Sequence, residues 1–137
     1  MRRTVLRPAL PADAPLPGDD ETGVVHIGAF ADGALLSACL VFAAPCPWLA
    51  GKRSWRLRSM ATYPHARGRG AGAVVLAEAA RIAGANGAEV LWCLARETAV
   101  GFYRRHGWAA TGELFVAAGL PHLRMWLELA AAGSQPA

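Results

Sequence analysis

The chain has 137 residues, 54% of them apolar, with fourteen Lys plus Arg against ten Asp plus Glu and a net charge of +4. That length suits one domain around one core. The positive balance forms no basic run interleaved with aromatics, which argues against nucleic acid. No apolar run is long enough to span a bilayer, and Cys39, Cys46 and Cys93 are an odd number without metal-ligand spacing.

The opening "MRRTVLRPAL" carries no secretory apolar stretch, so a reducing cytoplasm and unpaired, buried cysteines are expected. "RPALPADAPLPGDDETG" (Arg7 to Gly23) is rich in proline and acid and reads as a loop, too long to be idle and therefore expected to line something. "VVHIGAFA" and "LLSACLVFA" flank Asp32-Gly33 and predict a β-hairpin. "APCPWLAGKRS" is an exposed loop, and "WRLRSMAT" alternates in part, predicting a third strand that ends before Tyr63-Pro64.

A helix is predicted over about Gly70 to Asn86, where Val75, Ala79, Ile82 and Ala83 share a face that Leu76 and Ala80 widen, with Gly87 as its stop. "AEVLWCLA" is a continuous apolar run and predicts a strand buried on both faces. Strand, helix and apolar strand together predict a right-handed crossover between parallel strands. "ETAVGFYRRHG" predicts a second helix, capped by Thr98 or Glu97 and ended by Gly107. "WAATGELFVA" and "HLRMWLELA" predict strands across a turn at "AGLP", and the tail from 130 to 137 is expected to be disordered. One domain over 1–129 is the expected organisation.

The segment that carries chemistry is "HARGRGAGAVVLAEAARIAG", His65 to Gly84. Glycines clustered before a helix leave backbone N–H groups free to meet an anion. A P-loop would need Gly-Lys followed by Ser or Thr, and none follows. A dinucleotide fingerprint would need a second strand–helix–strand unit, and none follows either. The remaining pattern is Arg or Gln, two residues, Gly, one residue, then Gly or Ala. Arg67, Gly70 and Gly72 match it, between a strand ending "MATYP" and an amphipathic helix.

On these residues the chain resembles the GNAT superfamily of acetyl-CoA-dependent N-acetyltransferases. "AVGFYRRHGW" (Ala99 to Trp108) is similar to the family's Ala, aromatic-Tyr, basic-pair, Gly-aromatic segment. "GELFVAAGLPHLRM" (Gly112 to Met125) resembles the Gly-x-Pro-His-x-x-Met ending of a branch of small bacterial members, which also tends to carry the "LRP", "GDD" and early His seen at Leu6–Pro8, Gly18–Asp20 and His26. The resemblance covers about Arg2 to Leu129. It departs at Arg96, where the family often has Asn, and at a short beginning whose first strand is either missing or supplied by "RRTVL".

The resemblance implies an α/β fold (a mixed α+β sheet): mostly antiparallel, with one splayed parallel strand pair, flanking helices and shortened N-terminal elements. It implies acetyl-CoA as cosubstrate, no metal, and direct attack by an amine in a ternary complex. The implied coenzyme contacts are main-chain groups of Met60, Ala61 and Thr62, the turn Arg67, Gly68, Arg69, Gly70, Ala71 and Gly72, and Arg96 and Phe102. A backbone N–H near Met60 or Ala61 would meet the oxyanion. Tyr103 matches the usual general acid. The base is open among His26, Glu113, His122 and ordered water. His65 and His106 read as surface residues, and Glu78 with Arg81 as a solvated pair.

The implied partner is a small-molecule amine or a peptide N-terminus. The acidic "PADAPLPGDDET" near the expected mouth suits a cationic amine, and an exposed sheet edge invites a homodimer. The alternative is a non-catalytic CoA-binding or regulatory module with a degenerate acceptor site, which Arg96 and the short start favour.

Overall fold

The computed structural model describes residues 4–6, 23–64 and 70–129. Most of the proline-rich loop (7–22), the turn residues 65–69 and the tail 130–137 therefore lie outside the described residues, and with them His65, Arg67, Gly68 and Arg69.

Asp32 and Gly33 both take left-handed backbone conformations, φ 53° and 81°. A two-residue hairpin turn needs this geometry to match the twist of its strands. It joins β2 (Val25–Ala31) to β3 (Ala34–Ala43) in an antiparallel pair. The three residues Thr4–Leu6 add β1 to the outer edge of β2, so the "TVL" of that opening supplies the first strand. On its other edge β3 pairs antiparallel with β4 (Ser54–Thr62).

The helix α1 (Ala71–Ala85) follows, and its predicted stripe is its buried face: Val75, Leu76, Ala79, Ile82 and Ala83. It packs on β2, β3, β4 and β5. Asn86 closes it with its backbone N–H on the Ile82 and Ala83 carbonyls and its side-chain amide on Ile82 O (2.8 Å), and Gly87 at φ 88° turns the chain. β5 (Val90–Arg96) then pairs parallel with β4, as the crossover requires.

A 3-10 turn (Glu97–Ala99) leads into the short helix α2 (Val100–Arg105), so the second predicted helix is split. β6 (Ala109–Ala117) and β7 (Leu120–Glu128) form a hairpin across Ala118-Gly119. β7 pairs with β5 and leaves β6 outermost, so the seven strands run β1-β2-β3-β4-β5-β7-β6, with β4–β5 the parallel pair. β7 begins two residues earlier than predicted, and Pro121 is tolerated because it stands near the strand's start.

The two faces of β5 are both buried, as its continuous apolar run predicts. Leu91, Cys93 and Ala95 join the α1-side core with Ile27, Val41 and Leu57. Val90 and Trp92 join Cys46, Trp48 and Trp126 on the opposite face. All three cysteines are free and buried.

Leu91, fully buried beside the parallel rung, is the sharpest probe of this packing. Leu91→Ala is expected to lower unfolding free energy by about 2–5 kcal/mol through lost transfer energy plus a residual cavity. Urea titration should show this as a lower midpoint at unchanged slope; a loss under 1 kcal/mol would mean that the two faces are not close-packed there.

Candidate active site

β4 is the strand on which the site is built. Its parallel pairing with β5 lasts three rungs, Ser54–Val90, Trp55–Leu91 and Arg56–Trp92, and then stops. The closed end is clamped by Arg53. Its backbone N–H donates to the Glu89 carboxylate (2.9 Å), its Nε donates to Gly87 O (2.7 Å), and Glu89 N–H returns to Arg53 O (2.7 Å). The donated N–H holds the Glu89 carboxyl below its ordinary range.

Beyond Arg56 the strands part, and a bulge in β4 accompanies the parting. Leu40 faces Arg58 and Ala38 faces Ala61, so Ser59 and Met60 together face Cys39 alone. Ser59 sits at φ 58°, a left-handed conformation that costs a non-glycine residue about 1–2 kcal/mol. The extra residue bends the strand and shifts its face. Trp55 and Leu57 point to the α1-side core before the bulge; Met60 and Thr62 take that side after it. From Leu57 onward β4 has no strand beside it on the β5 edge. Its main-chain groups there are left for another partner.

The end of β4 is fixed by a residue that sequence reasoning missed. Ser37, 1% exposed, donates its hydroxyl to Ala61 O (2.9 Å), and its Oγ lies 2.9 Å from Thr62 Oγ1. The only signal was one polar residue inside the apolar run "LLSACLV".

Two cavities meet in the gap. The larger, about 730 Å³, lies between Met60–Thr62, the start of α1 at Gly70–Ala73, and Phe102, Arg105 and His106 of α2 and its cap. Gly70 caps α1 at φ 82° with no side-chain hydrogen bond, and the first turn holds no acidic residue. The first N–H groups of α1 therefore face that cavity without a side-chain cap, at the positive end of the helix. Gly72 permits a close approach there: a Cβ would stand 3.1 Å from Thr62 Oγ1 and 3.3 Å from Phe102 Cζ, so both side chains would have to give way.

The smaller cavity, about 330 Å³, lies in the splay itself and is walled by Arg56, Arg58, Cys93, Arg96, Tyr103 and His122 among others. Met60, Arg96 and Ala99 line both cavities, so the two adjoin across these residues at the slot where β4 and β5 part.

Tyr103 is 4% exposed, with its ring against Trp108 (5.0 Å) and Phe102 (5.4 Å). Burial first, and then the neighbouring Cys93 thiol, push the phenol well above its ordinary range. Burial likewise pushes the Cys93 and Cys39 thiols from 9.0 to about 12. The phenol thus holds its proton at neutral pH. His122 Nδ1 lies 2.9 Å from Leu120 O. That contact assigns the Nδ1 proton to the carbonyl and leaves Nε2 as an acceptor.

The structure brings Met60, Ala61, Thr62, Gly70, Ala71, Gly72, Arg96, Phe102, Tyr103 and His122 to the slot. It does not bring Glu113, which is exposed in the stretch of β6 where Gly112, Glu113 and Leu114 bulge opposite Leu123 alone, and lines neither cavity. His26, on β2, lines neither. His106 is exposed as expected but also walls the larger cavity beside Phe102 (4.9 Å). Arg56 and Arg58 were not anticipated, although their alternation with Leu57 in "WRLRS" put both on one face.

Residues 47–129 match the family model described as an acetyltransferase (GNAT) domain. The chain belongs to the GNAT acetyltransferase family. As a member it is an acyltransferase. It is 33% identical over 112 residues to the uncharacterized N-acetyltransferase YitI of Bacillus subtilis, a match covering 81% of this chain and 75% of that protein. Two solved structures share the fold. One is FeeM, an N-acyl amino acid synthase from uncultured soil microbes (TM-score 0.75, 13% identity, 93% of this chain and 91% of that one). The other is IAA acetyltransferase from Bacillus cereus (TM-score 0.68, 16% identity, 93% of this chain and 100% of that one).

The buried, protonated cluster of Cys39, Cys93 and Tyr103 sets an alkaline limit on this GNAT domain. The unfolded chain releases thiol protons near pH 9.0, whereas the folded chain keeps them to about 12. Rising pH therefore favours unfolding from pH 9 upward, by about 1.4 kcal/mol per pH unit for each thiol. Urea midpoints should be flat from pH 7 to 9 and fall steeply by pH 10.5, with a shallower fall in Cys39→Ala; a flat profile to pH 11 would contradict the burial of these groups.

Proposed function

We propose that this GNAT domain is an N-acetyltransferase that moves the acetyl group of acetyl-CoA to a primary amine by direct attack in a ternary complex. The observation that carries the reading is the pair of adjoining cavities at the β4–β5 splay. They join an uncapped helix N-terminus at one end to a protonated phenol and a histidine at the other.

In this reading the first N–H groups of α1, from Ala71 onward, receive the coenzyme's pyrophosphate, with the turn Arg67–Arg69 completing the cradle. Arg105 and His106 add positive or donor character to the same cavity. The pantetheine arm lies against the unpaired edge of β4 and reaches the shared wall at Met60. There a main-chain N–H of Met60 or Ala61 meets the thioester oxygen.

The amine nitrogen attacks the thioester carbon. Its proton passes to His122 Nε2, directly or through water, and the carbonyl electron pair moves onto the oxygen held by the main chain. Collapse breaks the C–S bond. The Tyr103 hydroxyl passes a proton to the departing thiolate and regains one from solvent as His122 gives up its own, so the thiol leaves neutral and both side chains are restored. The products are an N-acetylated amine and CoA, with no covalent enzyme intermediate. A protein with these roles acts where acetyl-CoA is available, in keeping with a cytoplasmic location.

Removing the phenol oxygen tests the assignment. Tyr103→Phe is expected to reduce kcat about a hundredfold, the size of a lost general acid, while the acetyl-CoA Kd from calorimetry stays within about twofold of the unmodified protein. Unchanged turnover would remove Tyr103 from the chemistry. Coenzyme binding with no turnover toward any amine in the unmodified protein would instead identify a CoA-binding module.

A further inference from the structure

We propose that the acceptor is a small amine that also carries an oxyanion, a carboxylate or a phosphate, which Arg56 and Arg58 hold at the closed end of the splay. The inference rests on the acetyltransferase reading of the same slot and narrows its substrate class.

The first observation is charge. The smaller cavity is lined by Arg56, Arg58, Arg96 and His122, and no described carboxylate lines it. None of the three arginines makes an ion pair among the described residues. A simple cationic amine would enter against the partly buried Arg56 and the exposed Arg58 and Arg96, with no described carboxylate in the wall to offset them.

The second observation is an unmet donor. Arg56 Nε is buried and has no hydrogen-bond partner. The guanidinium carbon lies over the Trp92 ring, 4.8 Å from its centroid. A buried donor left unpaired costs roughly 1–3 kcal/mol, and a planar guanidinium fixed on an aromatic face is already arranged for two-point contact with an oxyanion. Burial, and then repulsion from Arg58, pull the Arg56 guanidinium below its ordinary range. An anion held by the terminal nitrogens of Arg56 would offset the repulsion from Arg58.

The third observation is position. Arg56 stands on the last paired rung of β4 and β5, opposite Trp92, at the apex of the splay. Met60, where this reading puts the thioester, is four residues farther along β4, but the bulge shortens the advance to three rungs, roughly 10 Å of strand. Part of that span is taken up by the arginine side chain. What remains suits an acceptor with a few ångströms between its amine and its anion. The same guanidinium groups disfavour a second positive charge nearby. They thereby help the bound amine lose its proton before attack. The acidic segment that suggested a cationic acceptor lies within residues 7–22, outside the described residues.

The test is a matched panel: amino acids against their carboxamides, and amino sugar phosphates against the unphosphorylated amino sugars. CoA release is followed for the unmodified protein, Arg56→Gln and Arg56→Lys, each checked for an unchanged unfolding midpoint. The anionic member of one pair is expected to exceed its neutral partner in kcat/KM by about 30-fold or more, the worth of a charge-assisted hydrogen bond. Arg56→Gln should collapse that ratio mainly through KM, and Arg56→Lys should restore it in part. Which pair shows the preference separates carboxylate from phosphate.

Binding of the N-acetylated anionic products and their neutral counterparts is measured in parallel by calorimetry, with and without CoA. Amines acetylated without regard to the anion, or a ratio that Arg56→Gln leaves intact, would overturn the inference alone. Absence of acetyl-CoA binding would overturn the acetyltransferase reading separately, and the product comparison without CoA still decides whether the arginines hold an oxyanion.

Discussion

The extra residue in β4 is the constraint on which the rest depends. Two residues, Ser59 and Met60, occupy the space opposite Cys39. With Ser59 held left-handed, the strand changes face between Leu57 and Met60 and has no β5 partner beyond Arg56. A straight β4 would continue the parallel ladder, and the slot would be filled by backbone hydrogen bonds. The bend therefore exchanges ladder bonds for a row of main-chain groups with no strand partner. The surrounding fold supports the exchange. Arg53 and Glu89 clamp the closed end, and Ser37 ties Ala61 and Thr62 at the open one. Strain at a functional position persists only where its neighbours over-determine it.

The two sides of the slot differ in chemistry because different elements wall them. The proposed coenzyme side is made of glycines and helix termini: Gly70 turns the chain, and Gly72 lets α1 approach Thr62 and Phe102. The proposed acceptor side is made of side chains on sheet strands, Arg56 and Arg58 from β4, Arg96 from β5 and His122 from β7. Between them sits Tyr103, neutral because it is buried with Cys93.

Much of this was legible in the sequence. Asp32-Gly33 announced a turn because both residues tolerate positive φ, and the α1 stripe was plain because its apolar spacing has the helical period. The splay was anticipated from the resemblance, and in the residues themselves "WRLRSMAT" carried it only as a slip of period, with apolar positions at 55, 57 and then 60. The placement of β7 between β5 and β6 had no local signature, since a strand's partner is decided by long-range packing. Glu113 was a reasonable carboxylate on sequence grounds. Gly112, at φ 78°, opens the irregular stretch of β6 in which it faces solvent. Arg56 and Arg58 were overlooked because a basic pair on a strand usually faces water, and only the splay turns them into a wall.

The most direct measurement is a crystal structure with acetyl-CoA or a non-reactive thioether analogue. The expected result is a pantetheine arm lying between β4 and β5, its carbonyl oxygen within hydrogen-bond distance of the Met60 or Ala61 N–H, its pyrophosphate over the start of α1 and its sulfur facing Tyr103. A coenzyme bound elsewhere, or an arm that leaves the unpaired edge of β4 untouched, would contradict the account.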